Sequence, residues 1–172
     1  LQLVEIEKLQ SILKEQAIQD PLTGLYNRRY MEEALKQEFA RAHRENQSFS
    51  IIMLDMDNLK ALNDQHGHTV GDQALKKLGT LLKNQIRGED VVCRYGGDEF
   101  LVILHNTNEA DALNRLTEWE ASGRRQNLGD RLDVYFSAGI ATYPVHGKTI
   151  EEITHVADTA LYESKAKRKA SK

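Results

Sequence analysis

The sequence predicts an α+β fold of the ferredoxin-like kind, in which helices cover a mostly antiparallel central sheet. Two runs of strand-forming residues, 91–93 and 100–104, flank Gly96-Gly97, and a glycine pair between such runs indicates an antiparallel hairpin. Amphipathic helical patterns separate the other strand-like runs, which is typical of crossover connections. The chain has 172 residues, 40% of them apolar, which is enough to bury one core.

The first element is a predicted helix over residues 1–19 with a narrow apolar stripe between charged residues. The stripe recurs at spacings of three and four: Leu3, Ile6, and Leu9 or Leu13. Such a stripe suits a two-stranded coiled coil better than a broad core-facing helix. Asp20-Pro21 ends the helix because proline disfavours helical geometry in the residue before it. We therefore expect a signalling, dimerising helix over 1–19 and one functional domain over 20–172.

The rest of the chain alternates helical patterns with strand patterns. Asn27 is the predicted cap of a helix that runs to about Glu45, and a buried strand follows over 49–54. The later predicted elements are a short helix through Leu59 and Leu62, a helix over 70–86, the hairpin, a helix over 109–122, a strand over 131–141 and a helix over 149–169.

Composition excludes several protein classes. The net charge of −3 neither indicates nor excludes an anionic partner, and five basic residues within 165–172 are a weak hint of phosphate binding. The single cysteine, Cys93, cannot form an internal disulfide and fits a core residue in a reducing compartment. No stretch has the length of a membrane span or the profile of a signal peptide. We expect a cytoplasmic domain without contact to membrane or nucleic acid; a membrane-anchored parent protein stays open, since the chain opens without methionine.

Two acids, Asp98 and Glu99, directly follow the glycine pair of the hairpin. We expect Gly96 and Gly97 to adopt the positive φ that tight hairpin turns require. With no side chain on either glycine, the acids would be open to a ligand. A divalent cation held against a phosphate chain is one interpretation. A surface hairpin with two solvated acids is the other.

A second acidic pair ends the buried strand, as Asp55-Met56-Asp57. We expect only one of these two acids on the hairpin's side. If the two strands are neighbours, Asp55 and Asp98 would converge on one Mg²⁺, which prefers a few carboxylates together with substrate phosphates. Alternatively, Asp55 merely caps the next helix.

Four sequence blocks, in order and at fitting spacing, resemble the GGDEF family, the bacterial diguanylate cyclases. They are DPLTGLYNRR at 20–29, DMDNLKALND at 55–64 with Gly67-His68 and Gly71-Asp72, the signature RYGGDEF at 94–100, and ADTALYESK at 157–165. The resemblance covers roughly residues 18–169. It implies the palm fold of nucleotidyl cyclases and polymerases, and a reaction that joins two GTP molecules into cyclic di-GMP with release of two pyrophosphates.

The resemblance also implies a metal site. The carboxylates of Asp55 and Asp98 and the backbone carbonyl of Met56 would ligate Mg²⁺ or Mn²⁺, two ions in each half of the active site. Such metals neutralise the triphosphate and lower the pKa of the attacking 3′-hydroxyl. Asp98 also matches the family's proposed general base, and Glu99 is the second candidate for both roles.

Substrate contacts follow from the same resemblance. Asn63 and Asp72 match the positions that read guanine, and an Asp there complements the guanine N1–H and N2–H₂ donors. Helix capping is the alternative role for both. Lys165 matches the phosphate-contacting lysine. The chain departs from the family in having Arg168-Lys169-Ala170 where Gly-Arg-Asn is usual, so Lys169 would replace an arginine. Leu59 stands where phenylalanine is common.

Control by product and by dimerisation is implied as well. Arg87 and Asp90, with five residues between Asp90 and Gly96, match the family's inhibitory site for cyclic di-GMP, although an exposed turn with a surface ion pair would have the same sequence. Each domain binds one GTP, so a twofold homodimer is expected, with an upstream sensor domain acting through the first helix. Two other functions remain open: a non-catalytic cyclic di-GMP receptor that uses Arg87 and Asp90, and a GTP-binding regulatory domain.

Overall fold

The computed structural model describes residues 2–125 and 134–171 and contains one four-stranded sheet between two layers of helices. The elements are α1 (Gln2–Ile18), α2 (Arg28–Glu45), β1 (Phe49–Met56), α3 (Leu59–His66), α4 (His68–Gln85), β2 (Val91–Arg94), β3 (Glu99–Leu104), α5 (Glu109–Arg125), β4 (Phe136–Tyr143) and α6 (Ile150–Ala170). The strand order is β2-β3-β1-β4, and every neighbouring pair is antiparallel. The predicted α+β, ferredoxin-like architecture is therefore confirmed.

The sheet separates two apolar cores because side chains of β1 alternate between its faces. Ile52 and Leu54 belong to the core under α4 and α5, while Ile51 and Met53 belong to the core under α2 and α6. Both cores are closed to solvent, so β1 is buried along its whole length. The end of β1, where Asp55 lies, is consequently held rigidly from both sides.

Helix α6 lies against the sheet at very short range, because β4 carries a glycine beneath it. A methyl group on Gly139 would overlap the backbone of Ala157 and Leu161. The N-terminal end of α6 is capped by Thr149, whose hydroxyl accepts a hydrogen bond from the Glu152 amide. Close packing on β4 and β1 sets the position of the helix end that carries Lys165 and Lys169.

The predicted first helix is present as α1, and all of its side chains are outside the core. Its apolar stripe is exposed, with Leu3 at 73% and Leu9 at 55% of full exposure. The chain then turns at Asp20-Pro21, as predicted, and Asn27 caps α2 by accepting a hydrogen bond from the Tyr30 amide. In the part of the chain that the structure describes, no helix combines the length and the apolar character needed to cross a membrane.

Two predictions on local structure need correction or restriction. The strand predicted over 131–141 is observed as β4, which begins at Phe136 and continues to Tyr143; residues 126–133, including Leu132, lie outside the described residues. Gly96 and Gly97 do not have positive φ, a conformation that glycine adopts within the described ranges only at Gly24 and Gly67. A side chain at position 96 would come within 2.9 Å of the movable carboxylate end of Glu99, and one at position 97 would enter open space, so the described contacts do not explain the glycine pair.

Candidate active site

A cleft of about 900 Å³ opens at the end of β1, between the hairpin, α3 and the last turns of α6. Asp55 and Asp98 both line it, as predicted from their positions at the ends of neighbouring strands. The amide of Met56 donates a 3.0 Å hydrogen bond to the carbonyl of Asp98, which holds the two segments together. The cleft therefore has an acidic floor, and α6 faces it with basic side chains: Lys165, Arg168 and Lys169.

Asp55 is the most unusual carboxylate of the cleft, because it is only 5% exposed. Its Oδ2 lies 2.5 Å from Nζ of Lys165. Burial raises the pKa of Asp55 to about 6; the ammonium of Lys165 opposes the rise, and the negative charges of Asp98 and Glu99 add to it. The desolvated carboxylate of Asp55 is thus destabilised further by neighbouring negative charge, and its ion pair with Lys165 offsets this only in part.

Two buried side-chain oxygens in the described part of the chain have no hydrogen-bond partner: Oδ1 of Asp55 and Oδ1 of Asn63. Buried polar atoms are nearly always satisfied, so an unsatisfied one calls for an external partner. For Asp55 Oδ1, a divalent cation fits the chemistry of the site. Within residues 2–125 and 134–171 no group of three or more Asp, Glu, His or Cys side chains is arranged to hold a metal ion.

The hairpin presents its two acids in different directions. Asp98 lines the cleft, whereas Glu99 lines a neighbouring cavity of about 350 Å³ between the hairpin and the first turns of α6. Glu99 lies directly opposite Asp55 in the β1–β3 register, which explains its effect on the pKa of Asp55. Of the two candidates for the general base, Asp98 is therefore the one that faces the cleft.

The hairpin turn is held by Arg94, which precedes the glycine pair. Its guanidinium donates to the carbonyl of Gly97 at 2.7 Å and forms an ion pair with Asp20 at 3.3 Å. Asp20 in turn accepts hydrogen bonds from the amide and hydroxyl of Thr23. Two of the sequence blocks, one at the end of α1 and one at the hairpin, are thus joined by direct contacts.

The predicted guanine-reading residues lie together at the junction of α3 and α4, beside the cleft rather than on its lining. Asn63 is on α3 and contacts Gly71 of α4 so closely that any side chain on Gly71 would overlap its amide. Asp72 follows Gly71 and is exposed. The amide oxygen of Asn63 has no hydrogen-bond partner, and the carboxylate of Asp72 next to it is exposed. Both are acceptors to which the donor groups of a nucleobase edge could bind.

Reasoning from the sequence missed Asp57 and Arg168. Both line the cleft, and Arg168 Nη1 donates to Asp57 Oδ2 at 2.9 Å. Asp57 was expected on the opposite side from Asp55, and this expectation was wrong: residues two apart on an extended chain share a face, and both carboxylates form ion pairs with α6. The departure of residues 168–170 from the usual family pattern was the available signal for Arg168. Lys169 is exposed at the same wall, one residue further on.

The turn with Arg87 and Asp90 lies away from the cleft. Arg87 is exposed, whereas Asp90 is 8% exposed and accepts from three donors of this chain. These donors are the Arg87 amide at 2.9 Å, the His105 amide at 3.0 Å and Nη2 of Arg115 at 2.7 Å. Asp90 therefore shapes the turn, and Arg87 is the member of the pair with a side chain in solvent.

Comparison with known proteins agrees with this geometry. The family described as "Diguanylate cyclase, GGDEF domain" matches residues 17–171. The chain belongs to the GGDEF domain family. Among curated relatives, diguanylate cyclase DgcS of Shewanella oneidensis is 40% identical over 152 residues, which cover 88% of this chain and 50% of that protein. This GGDEF domain spans about a quarter to a half of the length of the curated relatives that it matches.

Solved structures have the same fold. Diguanylate cyclase SiaD from Pseudomonas aeruginosa, solved in complex with its activator SiaC, has a TM-score of 0.83 at 36% identity, over 95% of this chain and 64% of that chain. The coiled coil and GGDEF domain of DgcB from Caulobacter crescentus, solved in complex with c-di-GMP, has a TM-score of 0.83 at 27% identity, over 96% of this chain and 91% of that chain. The palm fold that the resemblance implied is thus confirmed.

Proposed function

We propose that this GGDEF domain is a diguanylate cyclase that condenses two GTP molecules into cyclic di-GMP and two pyrophosphates. One observation supports the proposal above the others. The two buried oxygens without partners among the described residues, on Asp55 and Asn63, belong to the predicted cation site and the predicted base site. A nucleotide with its cation would satisfy both. GTP as substrate and the free, buried thiol of Cys93 also favour a cytoplasmic location.

Each side chain of the cleft has a definite part in this proposal. Asp55, the carbonyl of Met56 and Asp98 would hold two divalent cations, Mg²⁺ or Mn²⁺, with Glu99 as a further ligand. Bound there, the cations supply charge neutralisation of the triphosphate and a lower pKa of the 3′-hydroxyl. Lys165 and Lys169 would contact phosphate oxygens, and Asn63 and Asp72 the guanine edge. The proton of the attacking hydroxyl would pass to Asp98, with Glu99 as the alternative acceptor.

The activity is tested by incubating the chain with GTP and Mg²⁺ and separating the products by anion exchange. We expect cyclic di-GMP and pyrophosphate from the wild type, and at least a 100-fold lower rate from Asp98→Ala. Glu118→Gln, an exposed acid on α5, is the matched control and should retain the wild-type rate. Binding of cyclic di-GMP without turnover would favour a receptor instead, and binding of GTP without turnover a regulatory domain.

A twofold homodimer is part of the proposal, because each domain would bind one GTP and the reaction needs two GTP molecules face to face. The exposed stripe of α1 is the surface that supports it: Leu3, Ile6, Leu9 and Leu13 are all more than half exposed. Two such helices would bury the stripe as a coiled coil. The contact of Asp20 with Arg94 places the end of α1 next to the hairpin, so an upstream sensor domain could change the apposition of two clefts through α1.

We propose product inhibition at the turn of Arg87 and Asp90. The exposed guanidinium of Arg87 can stack on guanine or bind phosphate, and the buried carboxylate of Asp90 holds the backbone from which it projects. Arg87→Ala should raise the cyclic di-GMP concentration for half-inhibition at least tenfold, with an unchanged initial rate in the absence of product. Inhibition equal to that of the wild type would refute this part.

A further inference from the structure

Arg168 joins three parts of the fold at the wall of the cleft. Its Nη1 donates to Asp57 Oδ2 at 2.9 Å, after the end of β1, and its Nη2 donates to Glu120 Oε1 at 3.2 Å, on α5. Asp57 is fixed from its other side, because Oδ1 accepts a 2.7 Å hydrogen bond from the hydroxyl of Ser137 on β4. Ser137 is fully buried. The last turn of α6 is thus tied to the core of the sheet and to a second helix.

Two ion pairs in register attach α6 to the end of β1. Lys165 and Arg168 are three residues apart and share one face of the helix. Their partners, Asp55 and Asp57, are two residues apart at the end of the strand. Both pairs border the same cleft; the side chains of Asp55 and Asp57 are 7% and 16% exposed, and those of Lys165 and Arg168 are 35% and 34% exposed.

The two pairs respond differently to substrate under the proposed function. Asp55 is then a cation ligand and Lys165 a phosphate contact, so their mutual ion pair is exchanged for contacts to the substrate. Asp57 and Glu120 have no such role, and they already neutralise the guanidinium of Arg168. The charge of Arg168 is therefore largely compensated and attracts a phosphate little. Its ion pairs with Asp57 and Glu120 remain when the ion pair between Lys165 and Asp55 is broken.

We propose that Arg168 is a positioning residue that keeps the phosphate-binding end of α6 at the cleft while Lys165 exchanges Asp55 for substrate. This inference rests on the proposed function. It assigns Asp57 and Glu120 as the anchors of Arg168, one on each neighbouring element. Without Arg168, the end of α6 that carries Lys165 and Lys169 is held less rigidly. This change weakens binding of the triphosphate more than it slows the chemical step.

The test compares Arg168→Gln with Lys167→Gln, which removes the adjacent, exposed positive charge on the same helix turn. GTP binding with Mg²⁺, KM, kcat and Tm are measured for both variants. We expect Arg168→Gln to raise KM and the Kd of GTP five- to tenfold and to change kcat less than twofold, at a Tm within about 2 °C of the wild type. Lys167→Gln should change KM less than twofold.

Glu120→Gln supplies a second measurement, because Glu120 lies on α5 outside the cleft lining. Alone it should raise KM two- to threefold, and in the Arg168→Gln background it should add nothing. The assignment would be overturned if Arg168→Gln and Lys167→Gln raised KM equally. It would also be overturned if the double variant raised KM by the product of the factors for Glu120→Gln and Arg168→Gln. A wild-type chain that neither binds nor turns over GTP would overturn it together with the proposed function, whereas an active wild type with an unaffected Arg168→Gln would overturn it alone.

Discussion

At the residue scale, Asp55 has a protonation equilibrium that differs between the folded and the unfolded chain. Burial raises its pKa from 3.8 to about 6. The folded domain therefore keeps a proton on Asp55 over a pH range in which the unfolded chain has released it. The stability that this proton contributes is fully present below about pH 4 and is lost as the pH rises through about 6.

This difference predicts how a neutral residue at position 55 changes stability. Without divalent cations, the Tm of Asp55→Asn minus the Tm of the wild type should increase as the pH is raised from 4 to 8. Calorimetric Tm values at several pH values measure the difference, with the exposed Asp111→Asn as control. A difference that is constant over this range, or that falls with rising pH, would contradict the shifted pKa.

The sequence predicted some site residues and not others, for a physical reason. Asp55 lies near the end of β1 and Asp98 directly before β3, so their convergence was predictable on the condition that the two strands are antiparallel neighbours, as they are. The contact of Arg168 with Asp57 spans 111 positions of the chain. This contact depends on where α6 ends relative to β1. Packing of α6 against Gly139 determines that position, and no local sequence pattern predicts it.

At the element scale, the position of α6 depends on the absence of a side chain on Gly139 of β4. A methyl group there would overlap helix backbone, so Gly139→Ala should force α6 away from the sheet. We expect the free energy of unfolding to fall by about 1–3 kcal/mol, as for other overpacked cores. GTP binding should weaken as well, because α6 carries Lys165. Denaturant unfolding and GTP titration measure the two effects.

Gly88→Ala is the control for this substitution, because a side chain on Gly88 would enter open space. It should change the free energy of unfolding by less than about 0.5 kcal/mol, as surface substitutions usually do. Equal destabilisation by Gly88→Ala and Gly139→Ala would show that the close approach of α6 and β4 is not the cause.

The elements themselves were largely predictable, since their apolar periodicity agrees with the way they pack. The apolar residues Met31, Leu35 and Ala42 of α2 recur at helical spacing and are buried, and the predicted cap at Asn27 is observed. The hairpin was predicted from its glycine pair, although neither glycine has the positive φ that was expected of it.

At the scale of the whole molecule, one domain offers only half of what the proposed reaction needs. The cleft supplies one acidic floor and one basic wall, and the exposed stripe of α1 offers a surface for a second copy. If the reacting species is a dimer that dissociates on dilution, the rate per chain must fall as the protein is diluted.

The dimeric active site can be tested by measuring the initial rate of cyclic di-GMP formation as a function of protein concentration, at saturating GTP and Mg²⁺. At low concentration we predict a rate that rises with the square of the protein concentration, becoming linear once the dimer is saturated, with two pyrophosphates released per cyclic di-GMP. A rate proportional to protein concentration in a strictly monomeric sample would contradict the dimeric site. No cyclic di-GMP at any concentration would contradict the proposed activity itself.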